Sequence, residues 1–373
     1  MFEAIITLLR NEQVIATAII LLKIAIVFGF VLNVAAVMSW VERKQSAVMQ
    51  DRIGANRADI LGLRMIGLFH ILADTIKMLT KEDWIPPKGN PLLHTLAPFL
   101  SLFAALIVFA VIPFGDTLHV GSYNIPLQIV DLDVGVLFVL AFGSLGVYSV
   151  VLAGWSSDNK YSLLGGVRGA AQVISYELAL GLSIIGVVMV FGSVELDDIA
   201  RAQGGYVLGF IPCWGVVVQP LGFLIFFAAA VAETKRTPFD LPESESEIIG
   251  YFTEYSGMKF GAFWMGEFIE IVAVAGVMTA LYFGGWQVPF LNDKGLAVAG
   301  ALAIPLPHLL VVLMQVTAFV IKVLFFCWLM LLIRWTLPRF RYDQLMDFGW
   351  KFLLPLALLN VVLTGFLLLA FRG

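Results

Sequence analysis

Charge is what this 373-residue sequence lacks most: only 13% of its residues are Asp, Glu, Lys or Arg. A soluble domain carries about a quarter, so half of the polar surface that such a domain needs is missing. Hydrophobic residues make up 60% of the chain, and its mean hydropathy is +0.93. This composition excludes the soluble globular, disordered and nucleic-acid-binding classes. It indicates an integral membrane protein.

Cysteine and histidine are also scarce. The chain has two cysteines, Cys213 and Cys327, and four histidines. Two distant cysteines without a CxxC pair provide no disulfide framework and no zinc or iron–sulfur ligand set. The histidines never stand four residues apart on one helix. The sequence therefore predicts no metal site and no haem site.

Long apolar runs are abundant instead. A helix needs about 20 apolar residues to cross a bilayer, and continuous rather than alternating runs favour helices over a β-barrel. The sequence thus predicts an all-α polytopic membrane protein with about eight transmembrane helices. The seventh run contains Pro305 and Pro307, so its helix is expected to begin after them. The runs are Val14–Trp40, Leu93–Pro113, Val134–Ala153, Ala170–Gly192, Ile211–Ala232, Phe263–Trp286, Ala301–Ile333 and Phe352–Phe371.

The lysines and arginines predict the orientation of these helices. Connections one, three, five and seven hold 17 of the 23, and the termini and other connections hold four. Because positive residues stay on the cytoplasmic side, we expect both termini on the outer, periplasmic side. Residues 1–373 are expected to form a single integral membrane domain.

The first cytoplasmic connection, residues 42–92, is long and carries a helical pattern. Apolar residues recur at steps of three and four between Leu61 and Lys81, which predicts an amphipathic surface helix over that range. Such a helix is either a plain interfacial anchor or an element packed under a partner. The apolar positions are Leu61, Met65, Leu68, Leu72, Ile76 and Leu79.

Acidic residues concentrate in the fifth connection, residues 233–262. Six of the chain's 27 acids lie within 22 residues: Glu233, Asp240, Glu243, Glu245, Glu247 and Glu254. The simplest interpretation is a solvated acidic loop. Three features argue against it. The loop lies on the predicted cytoplasmic side, where basic residues are expected, yet its acids outnumber its bases. Aromatic residues between the acids indicate burial, and carboxylates continue into neighbouring apolar runs at Glu177 and Glu267.

These carboxylates are candidates for proton transfer. Ionisable groups within membrane spans are costly and usually functional. Packed carboxylates in a poorly hydrated site have raised, coupled pKa values, which suits them to exchange protons near neutral pH. If a helix begins after Pro242, then Glu243, Glu247 and Glu254 share one of its faces.

Two lysines, Lys23 and Lys322, lie inside apolar runs. Each either extends its amine toward the interface or pairs with an interior acid. Lys322 is near the middle of its run, which favours an acid partner or a relay role in proton transfer.

Four stretches of the sequence carry a family resemblance. They are Val41–Lys44 with Met49–Gly54, Tyr161–Arg168 with Ile174–Glu177, Glu233–Asp240 with the acids after it, and Arg334–Leu345. Through these motifs nearly the whole chain resembles the H-subunit family of bacterial NADH–quinone oxidoreductase, equivalent to subunit 1 of mitochondrial complex I. The acidic stretch is the most specific of the four.

Local departures from the family lie in the first connection. Gly54-Ala55-Asn56 stands where Gly-Pro-Asn is usual, and His70-Ile71 stands where Gln-Pro is common. The stretch 58–66 is also longer than in the family. These changes adjoin the expected path of the quinone and leave the quinone type open.

The resemblance implies a subunit at the heel of the membrane arm, with quinone, ubiquinone or menaquinone, as the substrate. The first and sixth helices and the amphipathic helix would frame the quinone tunnel, and reduction of quinone would drive protons through nearby carboxylates. The residues implied near quinone are Arg43, Arg52, Asp74, Arg168 and Arg236. Those expected in the proton pathway are Glu177, Glu233, Asp240, Glu243, Glu245, Glu247, Glu254, Glu267 and Lys322.

The resemblance also implies the surroundings of the chain. It would be a multi-pass protein of the bacterial inner membrane, bound to lipid and to the peripheral quinone-module, small membrane and antiporter-like subunits, without nucleic acid. It would bind no flavin, iron–sulfur cluster or metal, and would have no activity when isolated.

Three alternatives stay open. The first is the homologous heel subunit of a membrane-bound hydrogenase or formate hydrogenlyase, which is expected to match the acidic stretch less completely. The others are an independent ion-coupled transporter and a structural anchor; intramembrane Glu177, Glu267 and Lys322 argue against the anchor.

Overall fold

A computed structural model describes residues 12–121, 123–207, 210–243, 249–292, 295–298 and 302–372. The described chain is mainly helical, as the sequence predicts. In chain order the α-helices are α1 Glu12–Met49, α2 Phe69–Thr80, α3 Pro91–Ile107, α4 Gly135–Gly143, α5 Leu145–Ser156, α6 Lys160–Phe191, α7 Leu196–Ala202, α8 Gly215–Val218, α9 Pro220–Glu233, α10 Gly257–Tyr282, α11 His308–Thr336, α12 Tyr342–Asp347 and α13 Leu354–Arg372.

Within the described ranges, seven helical segments are long and apolar enough to cross a membrane. They are α1, α3 with its last turn, α4 with α5, α6, α10, α11, and α12 with α13. The fifth predicted run, Ile211–Ala232, does not form one long helix. Pro220 restricts the backbone of the residue before it and has no amide donor. Gln219 is non-helical, with φ −129° and ψ 58°, and α9 has 14 residues. At 1.5 Å per residue α9 spans about 21 Å, less than the hydrocarbon core.

Two helix starts test the predicted boundaries. The helix α11 begins at His308, directly after Pro307, which confirms the prediction. The amphipathic helix begins at Phe69 rather than Leu61, so that boundary was wrong. Leu61, Met65 and Ile66 have φ values of 54°, 39° and 57°, in the left-handed region that a right-handed helix excludes.

Small residues allow the fifth connection to pack against the bundle. A Cβ atom on Gly165 of α6 would lie 2.9 Å from the backbone of Gly250, and one on Gly169 would lie 3.1 Å from Pro242. Only glycine permits such a close approach. The connection is thereby held on α6, beside α10, the most deeply buried of the candidate spans.

Short antiparallel hairpins occupy connections two, four and six. The first pairs β1 (Leu118–Val120) with β2 (Tyr123–Ile125), and the second pairs β3 (Tyr206–Val207) with β4 (Ile211–Pro212). The third is a three-stranded sheet in the order β5-β6-β7. Its strands are Leu291–Asn292, Gly295–Val298 and Leu302–Pro305. The even connections thus share one type of local structure, whereas the only β pairing in the described residues of the odd connections is the isolated antiparallel bridge between Ile60 and Leu63.

Candidate functional site

The fifth connection folds back into the helix bundle after α9. Lys235, Arg236 and Asp240 retain only 4%, 4% and 8% of their accessible surface. Gln172 of α6 donates its side-chain amide to the carbonyl oxygens of Ala232 (2.8 Å) and Phe239 (2.7 Å). These bonds satisfy backbone acceptors that water would otherwise solvate. The described part of the acidic segment is therefore not a solvated loop.

Arg236 is the centre of a buried ionic network. Its Nη1 lies 3.2 Å from Glu42 Oε2, and its Nη2 lies 3.7 Å from Glu267 Oε2. Arg334 Nη1 approaches the other oxygen of Glu42 at 2.7 Å. The guanidinium also stacks on Phe268, 4.5 Å from the ring centre. We call Arg236, Glu42, Glu267 and Arg334 the Arg236 network; it joins α1, the fifth connection, α10 and α11.

Two further groups converge on Glu267. The buried Tyr251 donates its hydroxyl to Glu267 Oε1 at 3.0 Å. The Glu243 carboxyl is hydrogen-bonded to the Glu267 carboxyl, and burial together with this neighbour raises the pKa of Glu243 well above its usual range. The cations Arg236 and Lys235 oppose that shift without cancelling it. This shift favours the protonated form of Glu243.

A cavity of about 170 Å³ opens beside this network. We call it the Arg236 cavity. Its wall combines charged and aromatic side chains. The lining residues are Glu42, Arg236, Glu243, Phe252, Phe260, Phe263, Trp264, Glu267 and Arg334. Such a wall offers ring contacts and charged groups to a flat ligand with polar atoms at its edge.

A second cavity, of about 60 Å³, is lined by residues of α3, α4, α5, α6, α9 and α10. We call it the Glu270 cavity. Its charged lining comes from Glu233, Lys235 and Glu270. Lys235 Nζ pairs with Glu270 Oε2 at 3.0 Å, and Glu233 is within electrostatic range of Glu270 and of Glu177 on α6. Electrostatic contacts thus link Glu177, Glu233 and Glu267 through Glu270 and Lys235, two residues that the sequence analysis did not single out as site residues.

Asp240 has a different setting. The Nε and Nη2 atoms of Arg339 each lie 2.6 Å from an oxygen of the Asp240 carboxylate. Thr237 donates its hydroxyl to the same carboxylate at 3.0 Å. A two-point guanidinium–carboxylate bond fixes position strongly. Asp240 therefore ties the fifth connection to the seventh, rather than facing either cavity.

The arginines implied near quinone are spread over the first, third and fifth connections. Arg43 pairs with Asp74 at 2.6 Å, which joins the end of α1 to α2. Arg52 donates to Gln50 at 2.7 Å, and Arg168 lies over Tyr342 at 5.8 Å. Of the implied set, Arg236 alone lines the Arg236 cavity.

Two residues expected in the proton pathway lie elsewhere. Asn159 donates to Glu254 Oε1 at 2.6 Å, beside an open groove rather than a buried cavity. Lys322 donates to the carbonyls of Phe283 (2.8 Å), Gly285 (2.9 Å) and Gln287 (2.7 Å). At 1.5 Å per residue the end of α10 is about 18 Å from Glu270, so among the described residues Lys322 pairs with backbone carbonyls and not with the acids of the site. Glu245 and Glu247 lie outside the described residues.

Sequence reasoning left several members of the site out. They are Glu42, Lys235, Tyr251, Glu270 and Arg334. Glu42 and Arg334 belong to the quoted motifs, and Glu270 follows Glu267 by three residues, a spacing that predicts one helix face. Lys235 also belongs to a quoted motif, Glu233–Asp240, whereas Tyr251 gave no comparable signal. Across the ranges that the structure describes, no three His, Cys, Asp or Glu side chains converge as metal ligands.

Comparison with known proteins gives the site a family context. A family profile described as NADH dehydrogenase matches residues 22–365. An H subunit of NADH-quinone oxidoreductase from Geobacter metallireducens is 46% identical over 353 residues, covering 94% of this chain and 97% of the relative. The H subunit from Bdellovibrio bacteriovorus is 41% identical over 93% of this chain and 95% of its own. One from Cytophaga hutchinsonii is 41% identical over 99% of this chain and its entire length. The chain belongs to the NADH dehydrogenase family.

Proposed function

We propose that this chain is the membrane subunit of a proton-pumping NADH–quinone oxidoreductase that holds quinone at the Arg236 cavity and couples its reduction to proton movement. The observation that carries the proposal is the buried Arg236 network, which lines one cavity together with four aromatic side chains. The names of the relatives support the quinone enzyme over the hydrogenase alternative. We place the subunit in a bacterial inner membrane, with its peripheral and antiporter-like partners.

The chemistry of the cavity suits a quinone ring. Its volume of about 170 Å³ is comparable to the roughly 150 Å³ that holds a benzene ring in an engineered protein cavity. Phe252, Phe263 and Trp264 offer faces and edges for ring contacts. The guanidinium groups of Arg236 and Arg334 supply charge-assisted donors for the quinone oxygens.

The carboxylates suit the protons that reduction requires. Two electrons and two protons convert a quinone to a quinol, so each electron added creates a demand for a proton. In a poorly hydrated site a new negative charge shifts the proton affinity of nearby groups strongly. Glu243 and Glu267 share a hydrogen bond, so we expect their protons to redistribute together.

The first connection supports the proposed position at a subunit junction. Leu72, Ile76 and Leu79 on one face of α2 are 51–61% exposed. Such a face suits lipid or an apolar partner. The Arg43–Asp74 pair holds α2 against α1, close to the route that a long-tailed quinone would take in this proposal.

The test uses the intact complex reconstituted in liposomes, with Glu267→Gln and Glu243→Gln as separate variants. Both remove a carboxylate from the Arg236 cavity while keeping side-chain size. We expect NADH oxidation with a water-soluble acceptor to be unchanged, and quinone reduction and proton pumping to fall together. Asp343→Asn is the matched control, since Asp343 forms an exposed pair with Arg341.

Full coupled activity in both variants would overturn the proposal. Hydrogen evolution or uptake by the native complex, without NADH oxidation, would support the hydrogenase alternative. Transport by the isolated chain would support an independent transporter.

A further inference from the structure

Lys235 lies between two groups of carboxylates. On one side are Glu243 and Glu267 at the Arg236 cavity; on the other are Glu233 and Glu177, reached through the Glu270 cavity. The ammonium pairs with Glu270 at 3.0 Å, with the two side chains 5% and 25% exposed. The Lys235–Glu270 pair is therefore within electrostatic range of both groups of carboxylates.

The position of Lys235 is costly in two ways. A lysine is almost never fully buried unless it is paired, and its backbone φ is 54°, a region that residues with a Cβ rarely adopt. Unfavourable backbone and burial together persist only where the surrounding structure enforces them. Such positions concentrate at functional sites.

We infer that Lys235 is a positioning residue that gates proton passage between the two carboxylate groups, by holding Glu270 as a carboxylate while the Lys235–Glu270 pair is closed. This inference rests on the proposed function, because the gate matters only if protons pass between the cavities. Neither Lys235 nor Glu270 belongs to the residues that the family resemblance implied. The inference adds a control point to the pathway.

The proton steps balance without a change at Lys235. When the pair opens, the proton that Glu243 holds passes to the Glu267 carboxylate across their hydrogen bond, and the new O–H bond at Glu267 then breaks as one forms at Glu270. The proton then leaves Glu270 for Glu233, and the pair closes on the restored carboxylate. The ammonium keeps its three protons throughout, so it directs the transfer and does not carry it.

The electrostatics support a permanently charged ammonium. Burial alone would lower the pKa of Lys235, but the carboxylates of Glu270 and Glu267 raise it above its usual value. In turn the Lys235 charge lowers the pKa of Glu243. The charged and titratable groups within range of the pair itself are Glu233, Arg236, Glu243, Tyr251 and Glu267, while Glu42 and Glu177 adjoin Arg236 and Glu233.

The experiment compares Lys235→Met, which removes the charge, with Lys235→Arg, which keeps it, in the intact complex in liposomes. Protons moved per NADH and the pH profile of quinone reduction are measured. Without the Lys235 charge the pKa of Glu243 rises further, so the Glu243 carboxyl stays protonated to a higher pH. We expect Lys235→Met to lower the proton ratio and shift the alkaline limb of the profile upward by about one pH unit.

We expect Lys235→Arg to retain both wild-type readouts. Lys351→Met is the matched control, because it removes a lysine from an exposed pair with Asp347. If Lys235→Met does not assemble, Lys235→Met/Glu270→Gln replaces both charges by neutral groups of similar size. The same loss of proton ratio is expected there.

A wild-type proton ratio and pH profile in Lys235→Met would overturn the inference. Failure of both neutral variants to assemble, with Lys235→Arg intact, would assign Lys235 a structural role and overturn it as well. Glu267→Gln, measured in parallel, distinguishes a failure of the gate from a failure of the proposed function. If Glu267→Gln is impaired and Lys235→Met is normal, the gate fails while the proposed function stands.

Discussion

Tyr251 donates its hydroxyl to Glu267 Oε1 over 3.0 Å, although the two residues lie on different elements. Tyr251 belongs to the fifth connection and is 1% exposed, whereas Glu267 lies within α10. This bond orients the carboxylate that also faces Arg236. The geometry of the Arg236 cavity therefore depends on how the fifth connection folds onto the helices.

Removing that hydroxyl should weaken quinone chemistry. A hydrogen bond to a charged group contributes about 1.5–3 kcal/mol, and about 1.36 kcal/mol corresponds to tenfold in rate. We expect Tyr251→Phe to slow quinone reduction about tenfold or more while NADH oxidation by a water-soluble acceptor is unchanged. Steady-state rates of the reconstituted complex measure both.

The control for this change is Tyr148→Phe, since Tyr148 is 61% exposed. Equal quinone rates in the two variants would mean that Tyr251 only fills space. A loss of both activities would instead indicate misassembly.

The Asp240–Arg339 pair should contribute to assembly more than to coupling. Both guanidinium contacts are 2.6 Å long, and breaking a bond to a buried charge costs about 1–3 kcal/mol. We expect Asp240→Asn to lower the amount of assembled complex on native gels, while the complex that forms pumps normally. The exposed Asp343→Asn variant should assemble fully. Normal assembly of Asp240→Asn with lost pumping would place Asp240 in the proton pathway after all.

Local patterns account for what the sequence could predict. Apolar runs and Pro307 are local signals, so most spans and the start of α11 follow from them. Contacts between distant segments leave no such signal: Glu42 and Arg236 are 194 positions apart. Lys322 shows the same limit, because its partners are backbone carbonyls, which every residue possesses. The three-residue spacing of Glu267 and Glu270 is visible in the sequence, but the ion pair between Lys235 and Glu270 is not.

Lys322 should support stability rather than proton transfer. Within the described residues its ammonium pairs with no acid; it donates to three carbonyls and lies 4.6 Å from the Trp214 ring centre. Losing these bonds leaves buried acceptors unsatisfied, at a cost of about 1–3 kcal/mol. We expect Lys322→Met to lower the melting temperature of the purified complex without changing protons moved per NADH. Lys351→Met provides the exposed control, and a lost proton ratio at normal stability would restore the relay role.

Connections two and four are joined by a carboxyl pair whose strength should depend on pH. Glu195, before α7, is hydrogen-bonded to Asp131, before α4, and burial together with this bond raises the pKa of Glu195 to about 7. Asp197 and Asp198 add to that shift. When a glutamate has a higher pKa in the folded state than in the unfolded state, its contribution to stability is fully present below the unfolded pKa of about 4.3. That contribution is lost as the pH rises through about 7.

Amide exchange of these two connections, corrected for the intrinsic effect of pH, checks the prediction. We expect their protection to fall between about pH 5 and pH 8 in the wild type, because two carboxylates then repel each other. Glu195→Gln stays neutral and keeps a hydrogen-bond donor, so its protection should vary little over the same range. The exposed Glu82→Gln variant should follow the wild type. The same pH dependence in Glu195→Gln as in the wild type would show that the pair does not control these connections.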